Sequence, residues 1–262
     1  MAKKIAICNQ KGGVAKTATT FNLAINITEL TNKKVLLIDG DMQGDLTSVC
    51  GFTPYKEKVT ITEMLLCQAG KLSIDADLSS FVKNTNYTNV DLVPCNMEAI
   101  TFDSKISGKV RAEELMKNLI NSCGWDDKYD YILFDCPPAL TMITTNILVA
   151  ADEIIIPVDM VEAVRNLKYL LAAIDEAKLA NPNLKVNGIL FVKQEERTNL
   201  HKTLLEETEK NYDYYIYRSK IRKSTAAATA MGIRVPLIKE FPKEKVTQDY
   251  IEFTAELMER EA

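Results

Sequence analysis

The 262 residues suit one large α/β domain, and a 47% hydrophobic, 26% charged composition excludes disorder as the dominant state. A formal charge of −4 excludes a uniformly basic nucleic-acid coat, yet residues 193–245 carry twelve Lys/Arg against eight Asp/Glu. Six cysteines without a C-x-x-C pair, a lone His201, no signal-peptide pattern and no long apolar run argue against zinc, a disulfide framework and a membrane span, and favour a reducing cytoplasm.

Short runs rich in Ile, Val and Leu at 4–8, 34–38, 90–93, 131–134, 153–157 and 186–192 predict buried strands. Helical spacing marks 17–30, 109–121, 161–180 and 200–211, while 51–58 and 72–89 read as surface loops or small insertions. Strands alternating with helices predict an α/β fold: a doubly wound, mainly parallel sheet flanked by helices on both faces, in one domain.

The first strand runs into Asn9-Gln10-Lys11-Gly12-Gly13-Val14-Ala15-Lys16-Thr17, and a helical pattern follows. Strand, glycine loop and helix start form the setting of a phosphate cradle. Gly12 and Gly13 let backbone N–H groups converge on an anion, and the helix dipole adds attraction. Lys16 is then placed to bridge β- and γ-phosphates, and the Thr17 hydroxyl to ligate Mg²⁺. The generic G-x-x-x-x-G-K-[ST] pattern is not met, because its glycines would fall at Gln10 and Ala15. The plain alternative is a Gly-Gly turn with two surface lysines.

The second strand ends in Asp39-Gly40-Asp41-Met42-Gln43-Gly44-Asp45. Carboxylates at i and i+2 beyond a buried strand point the same way, onto the sheet edge where ligands bind; a simple turn or helix cap is the alternative. The 131–134 strand ends in Asp135-Cys136-Pro137-Pro138, a Walker B arrangement in which Asp135 reaches Mg²⁺ through water and the prolines stop the strand. Cys136 reads as a packed thiol.

K-G-G-V-A-K-T resembles the deviant phosphate loop, K-G-G-x-G-K-T, of the ParA/MinD group of P-loop ATPases. The segment from Asp39 is similar to that group's D-x-D-P-Q-G-N, with Met42 and Asp45 in place of proline and asparagine, and D-C-P-P follows in order. The resemblance covers nearly the whole chain. It implies ATP and Mg²⁺ as cofactors, with nucleotide held by Lys11, Gly12, Gly13, Val14, Ala15, Lys16, Thr17 and Ala18. It also implies that Asp41 orients the attacking water and that Asp39 supports a metal shell built on Thr17 and Asp135. Lys11, in this group, reaches the phosphates of a partner's nucleotide, so ATP becomes the glue of a sandwich homodimer and Lys11 joins Lys16 and Asp41 as a catalytic residue. Ala15 departs from the usual glycine: helical dihedrals there suit alanine, whereas positive φ would weaken nucleotide binding.

Downstream, Glu196-Arg197-Thr198-Asn199-Leu200 resembles D-x-R-T-N-L, and Arg218-Ser219-Lys220-Ile221-Arg222-Lys223-Ser224 resembles P-R-N-V-R-L-S without its proline. In ParA-type proteins these segments bind DNA non-specifically, which points to Arg197, Arg218, Lys220, Arg222 and Lys223; cations without intervening acids contact phosphates and do not read bases. A solvated basic face is the alternative. The tyrosines at 212, 214, 215 and 217 are expected on a strand near a core edge. The C-terminal segment 249–262 is amphipathic but acidic, so it is expected to pack on the core and to give no stable membrane binding, unlike the basic helix of MinD-type proteins. Cys95 and Cys136 lack the surroundings of the iron–sulfur cysteines in nitrogenase-type reductases.

The chain begins almost at its first strand, so no N-terminal helix-turn-helix domain is expected, and centromere reading falls to a ParB-like partner that stimulates hydrolysis. The expected function is an ATP-dependent DNA-segregation ATPase, cytoplasmic and nucleoid-associated when ATP-bound. The alternatives are a MinD-like positioning ATPase for a protein complex or membrane without DNA binding, and a binding module in which Ala15 has weakened catalysis.

Overall fold

Parallel strands covered on both faces need apolar side chains on both, and the Ile/Val/Leu runs supply them. The computed structural model describes residues 1–159, 161–195 and 199–261. Its strands are β1 (Lys3–Ile7), β2 (Val35–Asp39), β3 (Lys83–Asn84), β4 (Val90–Val93), β5 (Tyr131–Asp135), β6 (Glu153–Val158) and β7 (Lys185–Phe191). They form one sheet in the order β3-β4-β2-β5-β1-β6-β7. All neighbours are parallel except the two-residue β3, which runs antiparallel on the β4 edge.

Alternate side chains feed two cores. Ala6, Leu36 and Phe134 pack with Met64, Leu119 and Ile147 on one face. Ile5, Leu37 and Leu133 pack with Phe21 and Ile25 on the other. The latter two belong to α1 (Lys16–Thr31), which is buried almost all round because a second layer covers it. That layer is the C-terminal helix Lys245–Glu261, whose Tyr250, Phe253 and Leu257 are buried and whose Thr254 hydroxyl accepts from Asn26 at 3.3 Å. Each such side chain contributes roughly 1.5–3 kcal/mol of burial. The acidic C-terminal segment thus packs on the core, as its apolar stripe predicts.

Two expectations shift. The helix predicted over 109–121 is α-helical only from Leu115, after a single 3₁₀ turn at Ala112–Glu114, because the left-handed Gly108 (φ 73°) and Arg111 (φ 57°) stop it from starting earlier. Helices Ile61–Gln68, Met142–Ala150 and Thr225–Ile233 lie outside the predicted set, although Thr60, Thr141 and Ser224 cap them. The tyrosine segment lies beside β7: Ile189 N donates to Tyr215 O (2.8 Å) and Tyr217 N to Ile189 O (3.0 Å). Gly188 makes room for it, since a Cβ there would stand 2.8 Å from Tyr217 Cε2. Among the described residues no helix is long and apolar enough to cross a membrane, and all six cysteines are free thiols.

Candidate nucleotide site

Strand register brings the three motifs to one level. Asp39 pairs with Asp135 across β2 and β5, and Ile7 pairs with Asp135 across β1 and β5. β1 lies between β5 and β6, the point in the strand order where the chain turns from one side of the sheet to the other, and the crevice at the carboxyl ends there is where such sheets bind ligands. Gly40 closes the seam: its N–H donates to Asp135 O at 3.0 Å, and a Cβ would meet that oxygen at 2.9 Å.

The loop after β1 is an open cradle. Gly13 is left-handed (φ 77°), and a Cβ at Gly12 or Gly13 would meet nothing within 4 Å. Ala15 is also left-handed (φ 57°, ψ 29°), the conformation that disfavours alanine and costs roughly 1–2 kcal/mol. Gly12, Gly13, Lys16 and Thr17 line a cavity of about 570 Å³, flanked by Ala15 and Ala18 and faced by Asp41. Val14, also expected at the nucleotide, is fully buried and does not line this cavity. Lys16 is 7% exposed, and its ammonium folds back to the Lys11 carbonyl at 3.3 Å.

Asp135 is buried and neither carboxyl oxygen has a hydrogen-bond partner. Burial, with the Asp39 charge second, pushes its carboxyl well above the usual range, while the Thr17 hydroxyl and Lys16 ammonium pull the other way. A buried polar group left open in this way is costly, and a cation beside Thr17 would satisfy it. Few protein ligands and room for water and phosphate oxygens suit Mg²⁺. Among the described residues no group of three His, Cys, Asp or Glu side chains is placed to hold a metal ion.

Asp39, expected to support the metal shell, is hydrogen-bonded within the chain. Its Oδ2 accepts from Thr47 N (2.8 Å) and Thr47 Oγ1 (2.7 Å), and its Oδ1 accepts from Asp41 N (3.1 Å). Burial still raises its carboxyl to about 7. These bonds tie the Asp39 carboxyl to the Asp41 backbone and to Thr47 of the helix that follows. Asp41 in turn accepts from Gln43 N at 3.0 Å.

Two residues of this edge escaped the sequence reading. Lys11 donates to Asp159 at 2.9 Å within its own chain, and Asp159 follows β6. Lys193, just beyond β7, is left-handed (φ 53°) and its ammonium reaches the Gly13 carbonyl at 2.5 Å. The signal available was position: both stand past the carboxyl end of a predicted strand, where ligands gather. Ala227, Ala228 and Met231 of the helix Thr225–Ile233 form an apolar far wall able to cover a planar ring.

The basic segment is not uniformly offered to solvent. Arg218 is exposed and lies 3.4 Å from both Glu256 and Glu259, Lys220 is exposed, and Lys223 is exposed with Glu195 at 2.8 Å. Arg222 differs from expectation: it turns inward, and its Nε and Nη2 each donate to Asp249 of the C-terminal helix at 2.7 Å. It therefore ties the segment to that helix beside the cavity. Arg197 lies outside the described residues.

A family model described as an AAA domain matches residues 2–186. The sporulation initiation inhibitor protein Soj of Bacillus subtilis (strain 168) is 32% identical over 259 residues, 98% of each chain. A solved cobyrinic acid a,c-diamide synthase from Mycobacterium smegmatis, with bound ADP and magnesium, superposes with a TM-score of 0.83 at 28% identity, covering 98% of this chain and 94% of that one. A plasmid partition protein from Borrelia burgdorferi bound to AMPPNP gives a TM-score of 0.78 at 25% identity, over 99% and 98% of the two chains.

Proposed function

The chain belongs to the ParA/Soj-type ATPases, and we propose on that footing that it is an ATP-dependent DNA-segregation switch acting as a single domain. ATP lies with its phosphates on the loop 11–17, Lys16 between the β- and γ-phosphates, and its base under the apolar wall. Mg²⁺ is held by the Thr17 hydroxyl and Asp135; when bound it neutralises charge on the transferred phosphate. Asp41 orients the attacking water, and Asp39 holds Asp41 in place. Lys11 leaves Asp159 for the partner's nucleotide, making the ATP state a homodimer. The dimer lies on DNA through Arg218, Lys220 and Lys223, joined by Arg197, and a ParB-like protein triggers hydrolysis and release. Its place is the cytoplasm, on the nucleoid while ATP is bound.

The observation that carries the phosphate chemistry is the unpaired buried carboxyl of Asp135 beside Thr17 and Lys16, below an open Gly12–Gly13 cradle. Similarity to a plasmid partition protein supports DNA as the cargo. The test is DNA retention with ATP, ADP and no nucleotide over a salt series. Retention that requires ATP and weakens steeply with salt is expected. Retention indifferent to nucleotide, or none at low salt, contradicts the reading.

A further inference from the structure

Lys193 stands out on three counts. It is a non-glycine residue in the left-handed region, which L-residues avoid at a cost, and such outliers concentrate at functional sites. It lines the same cavity as the phosphate loop, 180 residues away in sequence. Its ammonium donates to a backbone carbonyl of that loop, Gly13 O, at 2.5 Å.

The residues after it hold it in place. Gln194 N donates to Ile221 O at 3.0 Å, and Lys223 N donates back to Gln194 O at 2.9 Å. Gln194 Nε2 also donates to Val192 O at 2.8 Å. The turn that carries Lys193 is therefore stitched to the segment after the tyrosines. Val192 before it is buried in the core, and its N–H donates to Val158 O at 2.8 Å.

We infer that Lys193 is a positioning residue of the phosphate loop, acting on the nucleotide by holding the Gly13 carbonyl and with it the shape of the loop. Holding the Gly13 oxygen at Lys193 fixes the orientation of the Gly13–Val14 peptide in the middle of the loop. The clamp matters in this loop because the neighbouring Ala15 is strained: without an external hold, the conformational freedom of Gly13 lets left-handed Ala15 relax to an easier conformation. The inference rests on the proposed nucleotide site, but the clamp itself is a property of the nucleotide-free chain.

Two measurements on the full chain, wild type against Lys193→Met and Lys193→Arg, test it. Hydrogen exchange without nucleotide reads the clamp alone: Lys193→Met should speed exchange across residues 12–15, with the α1 interior unchanged and Lys193→Arg close to wild type. Calorimetry and turnover read its consequence: affinities for ATP and ADP should fall together by about tenfold, the weight of one hydrogen bond to a charged group. KM for ATP should rise by that factor while kcat falls less, and Lys193→Arg should restore most of the affinity. Unchanged loop exchange, or ADP affinity spared while ATP affinity falls, overturns the clamp; the second result would put the ammonium on the γ-phosphate. Wild-type chain that binds neither nucleotide contradicts the site itself, and is distinguished by its failure before any substitution is compared.

Discussion

Two lysines in one loop have different partners, and that difference governs what each substitution does. Lys16 is enclosed and bonded to its own loop, whereas Lys11 is paired with Asp159, which does not line the cavity. An Asp159→Asn variant removes the charge that keeps Lys11 at home. ATP-driven dimerisation should then set in at roughly two- to five-fold lower protein concentration, the worth of a partly exposed ion pair. A weaker dimer would show that Asp159 aids association. Ala15 is the second residue-scale test. Its left-handed backbone was one of two outcomes the sequence left open, because K-G-G-V-A-K-T does not reveal dihedrals. Ala15→Gly relieves strain of about 1–2 kcal/mol and adds unfolded-state entropy worth about half as much. Stability by urea midpoint should rise by up to about 1 kcal/mol, and ATP should bind no more weakly. A loss of similar size would show that position 15 is not left-handed in solution.

At the scale of elements, the sheet was legible and its attachments were not. The six long strands follow from apolar runs, and Asp39, Asp41 and Asp135 follow from their place at strand ends. Helices such as Thr225–Ile233 were missed because alanine-rich, weakly amphipathic segments carry little periodic signal, although Ser224 announces the start. Arg222 shows the limit most clearly: in sequence it is one of four cations in six residues, and only the packing of the C-terminal helix reveals Asp249 opposite it. Arg222→Ala should cost about 2 kcal/mol of stability, allowing for partial exposure, by stranding a buried carboxylate. Lys220→Ala and Lys223→Ala should leave stability nearly intact, and each should lower the slope of log DNA affinity against log salt by about 1. Equal salt slopes for these variants and wild type would remove them from the DNA surface.

The C-terminal helix also carries a pH signature. Burial alone would push the Glu256 carboxyl up, but hydrogen bonds from Ser219, Tyr215 and the N–H groups of Arg218 and Ser219 outweigh it and hold the group at about 2. The folded value lies below the ordinary 4.5, so Glu256 stabilises the fold above pH 4.5 and its contribution is lost as pH falls toward 2. Thermal melts of Glu256→Gln should show a flatter decline over that window than wild type. Parallel declines would mean that Glu256 is not held in this way.

For the whole molecule, the account makes nucleotide state a matter of association: one loop holds its own ATP through Lys16 and sends Lys11 to a partner's. Asp41→Ala supplies the background, since losing water positioning should slow hydrolysis by about 10²–10⁴-fold while the cradle remains. The direct measurement is light scattering of Asp41→Ala with Mg²⁺ and ATP, beside the same chain carrying Lys11→Ala, with ATP binding verified for both by calorimetry. The account predicts a dimer for the first and a monomer that still binds ATP for the second. A dimer of equal stability in both would contradict it.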